Sequence, residues 1–179
     1  VTVNDGLAWY DALTVNANHK FSHNLQGLIS YTWSHALSTV DPDTTKQAPN
    51  DPAVTGLAEK GNTIFDQRHR LVISGLYTAP FQITVGGIAT LASGTPYNIV
   101  TGTSNGGDGR EASERPVING VVVARNSGTG TAIYSFDPFI ERPFRLGENY
   151  NLRLRMEAFN VFNHGNFVSF NGTYGNGTT

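Results

Sequence analysis

Residues 151–167 read N-L-R-L-R-M-E-A-F-N-V-F-N-H-G-N-F, and the first half of this stretch alternates strictly. Leu152, Leu154, Met156 and Ala158 share one parity; Arg153, Arg155 and Glu157 share the other. Successive side chains of a strand point to opposite faces, so an extended backbone would place an apolar row back to back with a charged row. A charged row facing a soluble core would be costly, and the pattern fits a sheet with one greasy face and one wet face. A helix is the competing reading. Leu, Arg, Met, Glu and Ala are strong helix formers. Leu152, Met156, Phe159 and Phe162 would line one side of a helix, with Arg153 and Glu157 as an i, i+4 pair. The segment alone does not decide; the rest of the chain does.

Elsewhere the alternation recurs in pairs. Leu13, Val15, Ala17 and Phe21 oppose Thr14, Asn16, Asn18 and Lys20, with His19 the polar intruder in the apolar row. After Ser22-His23-Asn24 the chain returns with Leu25, Ile29, Tyr31 and Trp33 against Gln26, Ser30, Thr32 and Ser34, the clearest β-hairpin of the sequence. Leu71, Ile73, Gly75 and Tyr77 oppose Arg70, Ser74 and Thr78; a tight turn at Pro80 leads to Ile83, Val85, Gly87, Ala89 and Leu91. Between Ile133 and Phe144 the pattern is poorer. Tyr134, Phe136, Ile140 and Phe144 share a parity, but Pro138 and Pro143 each lack a ladder donor, so a bulge or break is expected.

Three hairpins result, over about 9–35, 68–93 and 133–163, joined by long aperiodic stretches at about 36–66 and 94–131. The turns inside the hairpins are short and the connections between them are long. In an up-and-down meander this sends every short turn to one rim and every long loop to the other. Transmembrane β-barrels show that asymmetry, with short periplasmic turns and long extracellular loops, whereas a soluble sandwich has no reason for it. Tyr31 and Trp33 end an apolar row with amphipathic rings, and Tyr77 and Phe81 flank the turn at Pro80; all four are candidate membrane-interface aromatics. The expected fold is therefore all-β: an antiparallel up-and-down meander of about six long strands, part of a transmembrane β-barrel. The sorting of the loops tips 151–163 to strand.

Composition removes several alternatives. Charged residues are 15% of the chain, below the roughly 25% of soluble domains. The 12 Lys and Arg against 14 Asp and Glu give no basic footprint for nucleic acid. Cysteine is absent, which excludes disulfides, thiolate metal sites and thiol catalysis. No apolar run approaches the ~18–20 residues of a membrane helix, but barrel strands need only about 10.

No catalytic, cofactor-binding or metal site is expected. Asp66, Arg68, His69 and Arg70 form the densest polar cluster, but no Gly-x-Ser-x-Gly elbow accompanies it, and the favoured reading is a rim cluster pinning a long loop to a strand. Asp41, Asp43 and Asp51 lack the spacing of a calcium loop. The Gly-rich 104–110 lacks the lysine and helix of a phosphate loop and reads as a mobile loop. Arg153, Arg155 and Glu157 have the best claim to a role: on the wet face of a barrel strand they are candidate contacts to the lumen, a plug or an anionic solute.

Four blocks carry a family resemblance: Y-D-A-L-T-V-N-A-N-H-K-F-S-H-N-L-Q-G-L-I-S-Y-T-W-S-H-A-L (10–37), F-D-Q-R-H-R-L-V-I-S-G-L-Y-T-A-P-F (65–81), S-G-T-P-Y-N-I (93–99) and R-L-R-M-E-A-F-N-V-F-N-H-G-N-F (153–167). In this order the chain resembles the C-terminal part of TonB-dependent outer-membrane receptors, specifically the Oar-like, carboxypeptidase-regulatory-like group. The resemblance implies a barrel of about 22 strands in the bacterial outer membrane, closed by a plug. It also implies coupling of that plug to an inner-membrane energy transducer for uptake of bulky solutes. No plug or coupling box is visible in these residues, so the chain is expected to hold about six of the last strands, as a fragment or a truncated gene. Its implied partners are the remainder of its barrel, the plug, the transducer and outer-membrane lipid. The alternatives are a passive porin-like or structural barrel piece, and a soluble β-sandwich binding or adhesion module.

Overall fold

A computed structural model describes residues 6–40, 56–102 and 115–174. Six long strands follow one another: β1 (Ala8–Ser22), β2 (Leu25–Ser38), β3 (His69–Thr78), β4 (Thr84–Ala92), β5 (Ile133–Arg145) and β6 (Asn151–Glu157). They pair antiparallel in chain order, with the two-residue strand Gly61–Asn62 added beside β2. The sheet is open, so β1 and β6 are its edges and the barrel is not closed within this chain. The meander expected from the alternation is the observed architecture.

Each hairpin is closed by turn chemistry written into the sequence. His23 and Asn24 have φ of 49° and 63°, which gives the two-residue turn with two left-handed positions that suits the twist of paired strands. In the second turn the Ala79 N–H donates to the Ile83 carbonyl at 2.7 Å. In the third the Leu146 N–H donates to the Tyr150 carbonyl at 2.8 Å, with Gly147 at φ 79°. One register shift interrupts β1 between His19 and Ser22, so that strand carries a bulge beside its turn.

Register carries the alternation across the sheet. Ile29 pairs with Ile73, Ile73 with Ala89, and Ala89 with Phe136; one step nearer the long loops, Tyr31 pairs with Leu71, Leu71 with Leu91, and Leu91 with Tyr134. All of these lie on one face, and the row continues through Ile140 and Met156 into β6. The opposite face carries Asn16, Ser30, Thr90 and Ser135, with Val72 among them. Among the described residues neither face is covered by a second sheet. Among the described residues Ala92 is the one buried hydrophobic side chain, whereas Leu13, Ile73 and Met156 are 60%, 39% and 74% exposed. A soluble sandwich would bury such side chains. This sheet instead leaves an apolar face to be covered by something other than itself.

Two expectations are corrected. First, the prolines neither break nor bulge β5, whose register runs continuously from Ile133 to Arg145. Backbone groups of a strand point alternately to its two neighbours. The Pro138 carbonyl accepts from Ala158, so the missing Pro138 donor also faces that side, just past the end of β6. Pro143 points the other way, beyond Thr84, the last residue of β4 to pair with β5. Neither proline removes a ladder hydrogen bond. Second, β6 ends at Glu157, although the third hairpin was expected to reach 163. Asn160 and Asn163 adopt φ of 46° and 50°. Asn160 binds His164 twice, donating from its amide to the His164 carbonyl at 2.9 Å and accepting the His164 N–H at 3.2 Å. Such side chain to backbone bonds compete with the ladder and end the strand.

Candidate functional site

The polar face ends, toward the short turns, in a group of four charges. Arg153 and Arg155 project from β6 beside Glu141 of β5: Arg153 Nε lies 3.4 Å from Glu141 Oε1 and Arg155 Nη1 3.5 Å from Glu141 Oε2. Arg155 also pairs with Glu157 on its own strand and lies 4.0 Å over the Phe139 ring. Alternation forces this arrangement, because Glu141 faces Arg155 and Phe139 faces Glu157 in the register. The group is electrically neutral. Arg153 is 72% exposed, so most of its donors remain available to another molecule. The sequence reading of 153, 155 and 157 left out Glu141 and Phe139. Their signal was their parity, opposite to Tyr134, Phe136 and Ile140.

At the other rim the polar residues 66–70 divide between two faces. Asp66 is buried; its Oδ1 accepts the Ala36 N–H at 2.8 Å and its Oδ2 accepts Arg68 Nη2 at 2.9 Å. Ser34 donates to the Gln67 carbonyl at 2.9 Å, and Arg70 Nη1 donates to Gln67 Oε1 at 3.3 Å. These contacts join the segment before β3 to the end of β2. His69 is not one of them. It pairs with Trp33 on the apolar face, where its Nδ1 is 2.8 Å from Tyr31 Oη. Adjacent residues of a strand face apart, so Arg68 and Arg70 cannot share a site with His69.

The described parts of the long connections fold onto this rim. Arg125 is buried and donates to the carbonyl and hydroxyl of Ser38, the hydroxyl at 3.0 Å. Asn126, 1% exposed, donates to the Asn62 carbonyl at 2.7 Å and takes up Asn98 Oδ1 through its backbone N–H at 3.2 Å. Arg115 and Glu59 form a part-buried ion pair at 2.6 Å. Gly61 admits this packing, since a Cβ there would lie 2.8 Å from the Arg125 carbonyl oxygen. No sequence pattern marked Arg125 or Asn126, whose partners lie far away in the chain.

The four interface aromatics sit at two levels of one face. Tyr31 and Trp33 lie toward the long loops, joined there by Trp9, over which Lys60 Nζ stands at 4.4 Å. Tyr77 and Phe81 lie at the short turns, and Phe81 is 80% exposed. From Trp33 to Leu25 the strand covers roughly 27 Å, and a tilt of about 35–45° brings that close to the apolar band of a membrane barrel. No helix among the described residues is long and apolar enough to cross a membrane, which has no bearing on crossing by strands. Among the described residues no group of His, Asp and Glu could hold a metal ion. Asp41, Asp43, Asp51 and the Gly-rich 104–110 lie outside the described residues.

Comparison with known proteins agrees with this geometry. The family model described as an outer membrane beta barrel domain matches residues 1–124 and 120–179. No curated protein and no solved structure matches the chain. Families of this kind are typically non-enzymatic. An open antiparallel meander, an uncovered apolar face bounded by aromatic rings, and a match along the whole chain lead to one assignment: the chain belongs to the outer membrane beta barrel domain family, and its place is the bacterial outer membrane.

Proposed function

We propose that these strands form part of the wall of an energy-coupled receptor that takes up a bulky solute. The observation that carries the proposal is the neutral group Glu141–Arg153–Arg155–Glu157, set on the wet face next to the short turns. In barrels of this kind short turns are periplasmic and the wet face is the lumen. A plug resting against this wall would meet the open donors of Arg153, and a shift of the plug would exchange those contacts for the internal ion pairs. The loops packed on the other rim, among them 56–68 and 115–131, would take the solute from outside. The work is binding and release, with no covalent step. The plug and an inner-membrane energy transducer would be supplied by parts of the machinery outside these residues.

The test is uptake by cells making the whole gene product, with and without the proton gradient. Uptake that stops when the gradient is collapsed, and that falls in the charge-reversed Arg153→Glu/Arg155→Glu variant, supports coupling through this wall. Flux that continues undiminished without the gradient would replace the proposal with a passive pore.

A further inference from the structure

The apolar face is not evenly covered. One register row carries Gly27, Gly75, Gly87 and Pro138 on four successive strands, so the row is shallow where neighbouring rows present larger side chains, and the Phe136 ring leans toward Gly87. Close approach holds glycine there: a Cβ on Gly75 would lie 3.1 Å from the Gln26 carbonyl oxygen, and one on Gly87 3.0 Å from that of Asp137. Beside this row, toward the short turns, is a hollow of about 630 Å³ walled by Leu25, Tyr77, Val85, Ile140 and Met156 and floored by Gly75. That volume falls among the roughly 300–1,000 Å³ of small-molecule pockets. Glu157 touches its edge, but its carboxylate is held by Arg155 on the opposite face.

Arg142 does not line the hollow but lies just beyond it, toward the short turns. It lies two residues beyond Ile140 on the same face of β5, about 7 Å farther toward the short turns, and pairs with Leu154. Its guanidinium lies 4.9 Å over the Phe144 ring, and it forms no ion pair with a described carboxylate. The carboxylates of β5 and β6, Asp137, Glu141 and Glu157, face the other side, where Ser135 and Asn160 hold Asp137 and Arg153 and Arg155 hold the two glutamates. An apolar hollow and a cation that lacks an anion therefore adjoin on a face that meets lipid.

We propose that this is a binding site for one glycerophospholipid of the periplasmic leaflet, with an acyl chain in the hollow and the phosphodiester on Arg142. The leaflet follows from the position beside the short turns. The occupant follows from charge: the hollow takes a hydrocarbon chain, Arg142 takes an anion, and a phospholipid carries both on one molecule. The proposal rests on the outward direction of the apolar face and is independent of what the barrel transports.

The test is native mass spectrometry of the full-length protein, released from nanodiscs of phosphatidylethanolamine and phosphatidylglycerol, with the retained phospholipids counted as activation is raised. The wild type should keep one phospholipid. Val85→Trp fills the hollow from a position that is 40% exposed, and Arg142→Gln removes the cation. Each should lower the retained fraction roughly tenfold, as the loss of about 1.4 kcal/mol gives. Arg142→Lys should recover part of it, and Ser74→Gln on the wet face should change nothing. All variants are first shown to be folded by their heat-sensitive electrophoretic mobility. Equal retention in wild type, Val85→Trp and Arg142→Gln would overturn the site. A protein dimer without lipid would overturn it too, by giving this face to a second copy.

Discussion

Removing the Asp66 carboxylate should loosen the long-loop rim by an amount that the structure sets. Asp66 is 3% exposed and accepts two hydrogen bonds, from the Ala36 N–H at 2.8 Å and from Arg68 at 2.9 Å. Asp66→Ala removes both. A buried hydrogen bond to a charged group contributes about 1.5–3 kcal/mol, and Ala36 is left without that acceptor. The Arg68 side chain is 36% exposed and can turn to water, so the ion pair adds only about 0.5–1 kcal/mol. The expected loss is thus about 2–4 kcal/mol. Asp66→Asn keeps an acceptor for Ala36 but loses the bond to Arg68 and the charge on the bond that remains, so it should cost about 1–2 kcal/mol. The assay is guanidinium unfolding of the full-length protein in detergent micelles, followed by tryptophan fluorescence. Trp9 and Trp33 are the only two tryptophans of the chain, and both lie at this rim. If Asp66→Asn costs as much as Asp66→Ala, charge rather than the acceptor for Ala36 governs the rim, and the reasoning fails.

Four more outcomes follow from the sheet. Ile73→Arg, in the middle of the outward face, should destabilise the folded protein by about 2–4 kcal/mol in bilayers, while Ser74→Arg on the wet face should change stability by less than about 1 kcal/mol; equal costs in a lipid-refolding titration would invert the two faces. Leu71→Pro removes a ladder donor where strands pair on both sides and leaves its acceptor unpaired, which should cost at least about 1–3 kcal/mol. Pro138→Ala should stay within about 0.5 kcal/mol, because no ladder bond is gained, and a large gain in the same unfolding assay would contradict the backbone directions given for β5. Arg153→Ala should change stability by less than about 1 kcal/mol, since the Arg153 side chain is largely in water, and on the proposed placement in the lumen it should change ion selectivity in planar-bilayer recordings; unchanged selectivity would refute that placement.

What the sequence showed, and what it hid, divides along the range of the contacts. The faces of β1 to β4 were legible because alternation is a property of each strand alone: Leu13, Ile29, Ile73 and Ala89 declare their side before any partner is known. The helix or strand ambiguity of 151–157 yielded only to the sorting of loops, a property of the whole chain. The separation of His69 from Arg68 and Arg70 was present in the same alternation and was obscured by grouping neighbours in sequence. The glycine row was not legible, because Gly27, Gly75 and Gly87 align only once two registers are fixed. The early end of β6 depends on Asn160 reaching His164 and on its N–H finding Asp137 Oδ1 at 2.7 Å, which no periodicity records. The loop cap was the least legible part: Arg125 meets Ser38 across 87 positions, through contacts that no local pattern encodes.

The strict chain order of the sheet has a kinetic consequence. Every long strand pairs with the next in sequence, and no crossover has to be threaded. Each hairpin can zip from its own turn on the roughly 1–10 μs scale of hairpin formation. Joining one hairpin to the next requires closing a long connection, yet doubling such a loop adds only about 0.6 kcal/mol of closure entropy. Growth can therefore proceed by adding whole hairpins, and the slow events should be those that wait for distant segments. Arg125 cannot reach Ser38, nor Asn126 reach Asn62, until β2, β3 and β4 are in place. Folding of this sheet should thus finish at its long-loop rim, with the strand ladder formed before the loops lock over it.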